Sequence, residues 1–448
     1  TRKKHDASFP LRAIEFCLRE AKITPADLSY AVFYEKPLLK FDRIIKTFLA
    51  YWPRGLIKFI KIIPLWLRER WWIRSIIKKN LPGFAGKVAF IPHHLSHAAS
   101  SYFASPFQKA AVLTVDGVGE WTTAAWGSAE KNQIELEEEM RFPNSLGLLY
   151  SAFTAFLGFE VNDGEYKVMG LAPYGKPVYR EALRKIAHLY DDGSLWLDMD
   201  YFSFPIGDVS FSKKFLGLFG EKREPESDFE ARHFNIAATI QEFCEEAMVC
   251  MARYVWEKTH AKNLCLAGGV ALNCAANSRI REKVPFKKIF IQPAAGDAGG
   301  ALGAAKFLWH TLENHPKSNA SEMPYYGPSY SHGEISEFLR KKKVQAQELQ
   351  PSELVETASR LLAEGKVVGW FQGKMEWGPR ALGARSILAD PRPEKMRDIV
   401  NEKIKFRESF RPFAPVIPAE FLRDWFFIKD ESPYMLFTCP VQFYAIGF

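Results

Sequence analysis

The 448-residue chain holds only six cysteines, and no CxxC pair occurs among Cys17, Cys244, Cys250, Cys265, Cys274 and Cys439. That excludes a disulfide-framed small domain and a thiolate zinc site of ordinary spacing. Reduced thiols packed in the core of a cytoplasmic protein are expected instead. The chain has no clean apolar run. The longest uncharged stretch, Phe142 to Phe159, reaches the ~18 residues that flag a membrane span. It is interrupted by Pro143, Asn144, Gly147 and Gly158, so a buried helix is expected and no span. The opening Thr1-Arg-Lys-Lys-His5-Asp6 has none of the apolar core of a secretory leader. Neither GxxxxGK[ST] nor GxGxxG occurs, which excludes the P-loop and dinucleotide fingerprints. There is no initiator Met, and the chain closes on an apolar, strand-like run over 437–448, so a fragment is expected.

An apolar share of 47% against 25% charged residues is that of a globular chain. The length passes the roughly 250–300 residues at which single cores stop growing, so two or more domains are expected. Charge is unevenly spread. Residues 54–79 carry eight Lys/Arg (54, 58, 61, 68, 70, 74, 78, 79) against Glu69 alone, a net +7 of the chain's +8. Ile57, Ile60, Trp66 and Trp72 interleave with these charges. Such a basic amphipathic stretch suits a membrane surface or nucleic acid. The preferred reading is an insertion, 51–80, packed on its parent domain with lysines snorkelling and broken or kinked at Pro64.

The most informative feature is His93 and His97, four apart in Pro-His-His-Leu-Ser-His, followed by two glycine-embedded aspartates: Asp116 in Val-Asp-Gly-Val-Gly and Asp297 in Gly-Asp-Ala-Gly-Gly. Residues i and i+4 share a helix face, so the two imidazoles can grip one cation. Carboxylates from two further turns complete a nitrogen/oxygen shell suited to iron, zinc or manganese.

Along the chain, 9–28 reads as an amphipathic helix followed by a strand at 30–34. Lys87 to Ile91 is a strand feeding the histidine helix, and 110–115 with 121–126 form a hairpin around Asp116-Gly117. A long helix covers about 234–258. Strand-to-glycine-turn-to-helix units follow at 264–273 and 289–310. Free N–H groups at such turns favour phosphate, which points to a nucleotide cleft near Gly117, Gly268, Gly269 and Asn273. A polar stretch over 312–352 reads as a linker. A second α/β unit then begins with helix 352–364 and strand 366–371. No internal repeat is found.

Several long motifs run in order through the chain: KHDxxFP (4–10), HHLSHAASSYFASP (93–106), LTVDGVGEW (113–121), NDGEYKVMGLAPYG (162–175), LAGGVALNCAANSRI (266–280), QPAAGDAGGALGAA (292–305) and GKVVGWFQGKMEWGPRALGARSILADPR (365–392). Together they resemble the O-carbamoyltransferase family, which carbamoylates nodulation factors and antibiotics. The resemblance implies an actin/Hsp70/sugar-kinase-like N-terminal domain, 1–322, like that of the tRNA threonylcarbamoyl-transferring enzymes. Its metal, Fe2+ by implication, would be held by His93, His97, Asp116 and Asp297. It implies a second domain, 323–448, similar to threonylcarbamoyl-adenylate synthase and incomplete here. Family members also carry a strand ahead of position 1, which is absent.

The implied reaction uses ATP and carbamoyl phosphate to form carbamoyl-adenylate, then transfers carbamoyl to a small-molecule hydroxyl; no nucleic-acid partner is expected. Clustered phosphates call for bidentate cations. Arg380, Arg385, Lys405, Arg407 and Arg411 are the candidates, with Asp116 catalytic as well as ligating. Glu165 and Lys167 are candidates for nucleotide or acceptor, and His94 is expected to be structural. The alternatives are a tRNA threonylcarbamoyl-type enzyme, a phosphotransferase of the same fold and a non-catalytic binding fragment.

Overall fold

The computed structural model describes residues 6–442 apart from Ala7, Arg70, Trp71, Asp208 and 319–322. Lys4 and His5 of the opening motif, the expected domain junction at 322 and the run 443–448 therefore lie outside the described residues. The mixed α/β class read from the sequence is what the structure has.

Helix α1 (Leu11–Ala21) is shorter than the sequence reading. It stops where Lys22 takes a left-handed conformation, and Pro25 then heads a separate short turn. Strand β1 (Tyr30–Phe33) pairs in parallel with β2 (Lys87–Phe90). Between them run α2 (Pro37–Ala50), α3 (Leu56–Glu69) and α4 (Ile73–Asn80). Helix α3 continues through Pro64 rather than breaking there. The expected packing of this segment is half met: Ile77 joins Leu81 and Phe84 in a small core, but Trp52, Ile57 and Ile60 face outward.

The histidine helix α5 (His93–Tyr102) follows β2 directly. Next come β3 (Lys109–Val115), β4 (Thr122–Glu130) and β5 (Gln133–Arg141), and later β8 (Asn263–Ala267) and β9 (Lys288–Ile291), after a small hairpin of β6 (Ala187–Leu189) and β7 (Leu195–Leu197). The larger sheet has the order β5-β4-β3-β8-β9, with β4 alone antiparallel to its neighbours. The sequence reading missed β5, because four glutamates interrupt its pattern; Ile134, Leu136 and Met140 are its inward residues.

The uncharged stretch becomes α6 (Leu146–Phe156), buried along most of its length as expected. Helices α7 (Glu165–Leu171), α8 (Arg180–Ile186), α9 (Lys213–Phe219) and the long α10 (Ala231–Thr259) cover one sheet face around a phenylalanine cluster that includes Phe153, Phe156, Phe215 and Phe219. Helices α11 (Cys274–Lys283) and α12 (Asp297–Lys306) complete this part. Cys244 and Cys265 are core residues as expected, whereas Cys17 is exposed, a correction.

The stretch read as linker contains α13 (His332–Lys342), held by a Ser331/Glu334 capping box. Helix α14 (Pro351–Ala363) precedes the antiparallel pair β10 (Val368–Phe371) and β11 (Arg385–Leu388). No strand is assigned over 437–442; Val441 makes one isolated bridge to Phe426.

Helix α12 lies directly on α5 because Gly303 has no side chain. A Cβ there would sit 1.8 Å from the Ser96 carbonyl oxygen. Gly303→Val is therefore expected to cost at least about 3 kcal/mol or abolish folding, checked by urea unfolding. Gly217→Ala, where a Cβ meets nothing within 4 Å, is the neutral comparison.

Candidate functional site

Four donors converge at the C-terminal ends of the parallel strands, where α/β proteins place ligands. Helix α5 supplies His93 and His97, the turn after β3 supplies Asp116, and the first residue of α12 is Asp297. Their ligand atoms all lie within 4.8 Å of one another. His93 Nε2 is 3.0 Å from Asp116 Oδ2, 3.1 Å from His97 Nε2 and 3.6 Å from Asp297 Oδ1. His97 Nε2 lies 3.7 and 3.6 Å from the same two carboxylates. Ligands bonded at roughly 2.0–2.2 Å to one ion are separated by such distances, so the donor set fits a divalent metal. Both histidine Nδ1 atoms are buried without a hydrogen-bond partner among the described residues. The polar engagement of each ring thus runs through Nε2, toward the common centre.

Burial pushes His97 down, but its contacts with Asp116 and Asp297 outweigh this and raise it to about 9. Burial would raise Asp116, yet hydrogen bonds from His93 and His97 hold it well below the usual carboxylate range. His94 points elsewhere. Its Nδ1 meets Thr114 Oγ1 at 2.8 Å and its Nε2 meets the Thr122 carbonyl at 2.9 Å. Burial and the neighbouring histidines push it down to about 3, so it is a neutral structural group.

Backbone shapes the Asp116 side of the site. Gly269 N–H donates to Asp116 Oδ1 at 2.8 Å, and Gly268 takes φ +96° where a Cβ would meet the Val115 carbonyl at 2.2 Å. Ser145 donates to the Gly117 carbonyl at 2.7 Å. Glu120, which the sequence reading passed over, is buried and accepts the His93 N–H at 3.1 Å and the Lys36 N–H at 2.7 Å. A carboxylate there suits the positive end of the histidine helix. Its only sequence signal was adjacency to Asp116.

Other expected site residues are spread. Asn273 Oδ1 caps α11 through Ala276 N–H at 3.0 Å, and its amide donates to Gln241 at 2.9 Å. Glu165 accepts from Ser151 at 2.7 Å and from Asn162 N–H at 2.9 Å. Lys167 is tied to Glu408 at 2.7 Å. Glu408 also lies 3.5 Å from Arg411, whose guanidinium covers the Tyr166 ring at 4.6 Å. Arg407 donates to Asn401 at 2.6 Å. Burial, then the charges of Arg407 and Arg411, push Lys405 below its ordinary value, so these three form one basic cluster facing α7.

Arg380 donates to the Leu272 carbonyl at 3.1 Å, which places it on the glycine turn after β8. Among the described residues, no hydrogen bond brings Arg385 to that turn. Its guanidinium donates to the carbonyls of Gln372, Gly373, Pro328 and Ala384 and covers Phe371 at 3.5 Å, organising its own loop.

Glu376 holds the same loop together. Its Oε1 accepts N–H groups of Leu382, Ala384 and Arg385 at 2.8, 2.6 and 3.1 Å. Burial would raise this carboxyl, but the N–H groups carry it below its ordinary 4.5. A depressed carboxylate contributes stability above its unfolded value and loses it as pH falls through the folded one. Glu376→Gln is therefore expected to cost about 2 kcal/mol at neutral pH. The gap to wild type should close below pH 4.5, read from chemical denaturation across pH.

A mixed α/β chain with a four-donor centre, and a basic cluster beside α7, has the parts of a group-transfer enzyme. A family model for the carbamoyltransferase N-terminus matches residues 1–306, and one for the carbamoyltransferase C-terminus matches 359–445. The chain belongs to the carbamoyltransferase family. It is 48% identical to an uncharacterized protein of Synechocystis over 99% of this chain and 74% of that one. It is 32% identical to the nodulation protein NolNO of Sinorhizobium fredii, over 98% of this chain and 63% of the relative. Identity to the nodulation protein NolO of Bradyrhizobium diazoefficiens is 36%, over 78% and 63%. The chain thus spans 63–74% of the length of these relatives, less than two thirds of both nodulation proteins. The crystal structure of T. kodakarensis HypF overlaps 51% of this chain and 38% of its own at 16% identity and a TM-score of 0.25. Among the described residues, no helix is long and apolar enough to cross a membrane.

Proposed function

We propose that the protein is an ATP-dependent O-carbamoyltransferase whose two parts activate and then transfer a carbamoyl group. The reading rests on family membership together with one observation, the convergence of His93, His97, Asp116 and Asp297 within 4.8 Å. The sheet order, with its second strand alone antiparallel, supports an actin/sugar-kinase-like assignment for the first part. Residues 323–448 are proposed to resemble an adenylate-forming synthase domain.

A carbamoyl carbon is a poor electrophile because its nitrogen donates into the carbonyl, so it must be activated. Carbamoyl phosphate and water give carbamate and phosphate. The carbamate oxygen then displaces pyrophosphate from the α-phosphorus of ATP, giving carbamoyl-adenylate. Lys405, Arg407 and Arg411 would neutralise the phosphates of this step, and Arg380, on the turn carrying Gly268 and Gly269, would hold the adenylate phosphate. His93, His97, Asp116 and Asp297 would hold a divalent metal, Fe2+ by preference, which supplies Lewis-acid polarisation when bound. Asp116 keeps its carboxylate ionised against His93 and His97, and Glu120 holds the histidine helix in place. Attack by the acceptor hydroxyl, of a sugar, antibiotic or related compound, forms the carbamate ester and releases AMP.

The test is mass spectrometry of products after incubation with ATP and carbamoyl phosphate, each also omitted in turn. Pyrophosphate with carbamoyl-adenylate or AMP is expected only when both are present. Their absence from the full-length protein would reject the reading.

A further inference from the structure

The helical hairpin of α2 and α3 presents an apolar face left largely uncovered by the described residues. Leu49 lies in the last turn of α2, Trp52 lies in the connecting turn, and Ile57, Ile60 and Pro64 follow at i, i+3 and i+7, one side of α3. Leu49, Trp52, Ile57 and Ile60 are 65, 61, 74 and 61% exposed. The opposite side of α3 is turned inward: Phe59 meets Phe48 of α2 edge-on at 5.3 Å within the hairpin, while Lys58 reaches the Gly207 carbonyl and Gly55 lies against Ile206 outside it. The hairpin is therefore seated on the protein while its outer face is bare. Contiguous exposed apolar surface of this kind marks an interaction site.

Charge narrows the occupant. Lys61 lies on the outer side of α3 and Lys78 and Lys79 are exposed on α4, within a segment, 54–79, whose sequence carries a net +7, although Lys58 turns to the Gly207 carbonyl and Arg74 to the Phe90 ring. We infer that this face docks on a lipid bilayer surface rich in anionic headgroups, with the aliphatic side chains entering the headgroup layer and the lysines meeting its charge. Tryptophan at the turn suits the interfacial depth. A nucleic acid fits less well, because Trp52 is the one aromatic ring named on this face and Leu49, Ile57 and Ile60 offer bases no stacking partner. A second copy of the chain would bring one strongly positive segment against another. The hairpin lies on the membrane rather than in it, since no described helix is long and apolar enough to cross one. This inference does not depend on the carbamoyl-transfer reading.

The experiment is co-sedimentation of the full chain with vesicles of phosphatidylcholine, with and without phosphatidylglycerol, at low and at near-physiological salt. Binding is expected only to the anionic vesicles and should weaken as salt rises. Lys61→Glu combined with Lys79→Glu should weaken it more than about tenfold, at roughly fivefold for each lysine lost. Ile57→Ser combined with Ile60→Ser, which leaves the charge unchanged, should weaken it at least about tenfold through lost apolar burial. All four positions are exposed, so unchanged melting temperatures are expected to accompany these losses. No sedimentation with anionic vesicles would overturn the inference, and so would binding that the serine pair leaves intact. A concentration-dependent dimer or an RNA complex formed in place of vesicle binding would likewise overturn it.

Discussion

Replacing His97 by alanine is expected to bring bound metal to background and to cut carbamoyl transfer by at least about 100-fold, while ATP–pyrophosphate exchange driven by carbamoyl phosphate persists. His97 Nε2 is fully buried and lies within 3.7 Å of both ligand carboxylates. Removing it takes one of four donors and leaves Asp116 and Asp297 facing each other with one imidazole fewer between them. His94→Ala separates this from general damage. It should lower stability through loss of the Thr114 and Thr122 contacts but leave metal content near wild type. Elemental analysis of purified protein reads both.

The same residue gives a pH signature. In the metal-free protein, protonated His97 bridging two carboxylates contributes stability that is full below its ordinary 6.5 and lost as pH rises through about 9. Metal must displace that proton. Metal affinity is therefore expected to climb as pH approaches 9 and then level, measured by titration calorimetry. A flat profile would remove His97 from the donor set.

Arg407→Ala is expected to behave oppositely, losing pyrophosphate exchange and transfer together by about 100-fold or more while metal content stays unchanged. Arg407 and Arg411 are partly buried, and burial followed by neighbouring guanidinium charge holds Lys405 and Arg407 below their ordinary values, so the cluster concentrates positive charge without a matching set of acids. Glu408 is the exception, and it is already engaged by Lys167 at 2.7 Å. Arg407→Lys keeps the charge but loses the planar fork, so only a small recovery is expected. If Arg407→Ala leaves exchange intact, activation does not use this cluster. Independent loss of the two half-reactions in His97→Ala and Arg407→Ala would establish the division of labour between the two parts of the chain.

What could be read from residues follows the range over which their physics acts. The His93/His97 pair was legible because helical spacing is local, and the aspartates because glycines flank them. The α13 cap was equally legible, as Ser331 three residues before Glu334, but the polar composition around it masked the signal. Strand β5 was hidden because its glutamates face solvent on a sheet edge that the sequence does not announce. Nothing local sets Glu120 and Glu376 apart from surface carboxylates. Only the fold buries them against N–H groups from distant or re-entrant backbone. Arg385 looked like a phosphate ligand from its glycine-rich setting, yet the loop closes its own carbonyls around it.

By itself the sequence determined the mixed α/β class, the helix that pairs His93 with His97, the glycine turns beside Asp116 and Asp297, and a basic segment dense in apolar residues. These depend on neighbours a few positions away, where backbone geometry dictates which side chains share a face. Tertiary structure alone decided that the four donors meet, that Lys405, Arg407 and Arg411 face α7, and that Ile57 and Ile60 point outward rather than into the core. Those outcomes depend on pairing between segments hundreds of residues apart, such as β3 with β8 and Lys167 with Glu408, which no local pattern encodes.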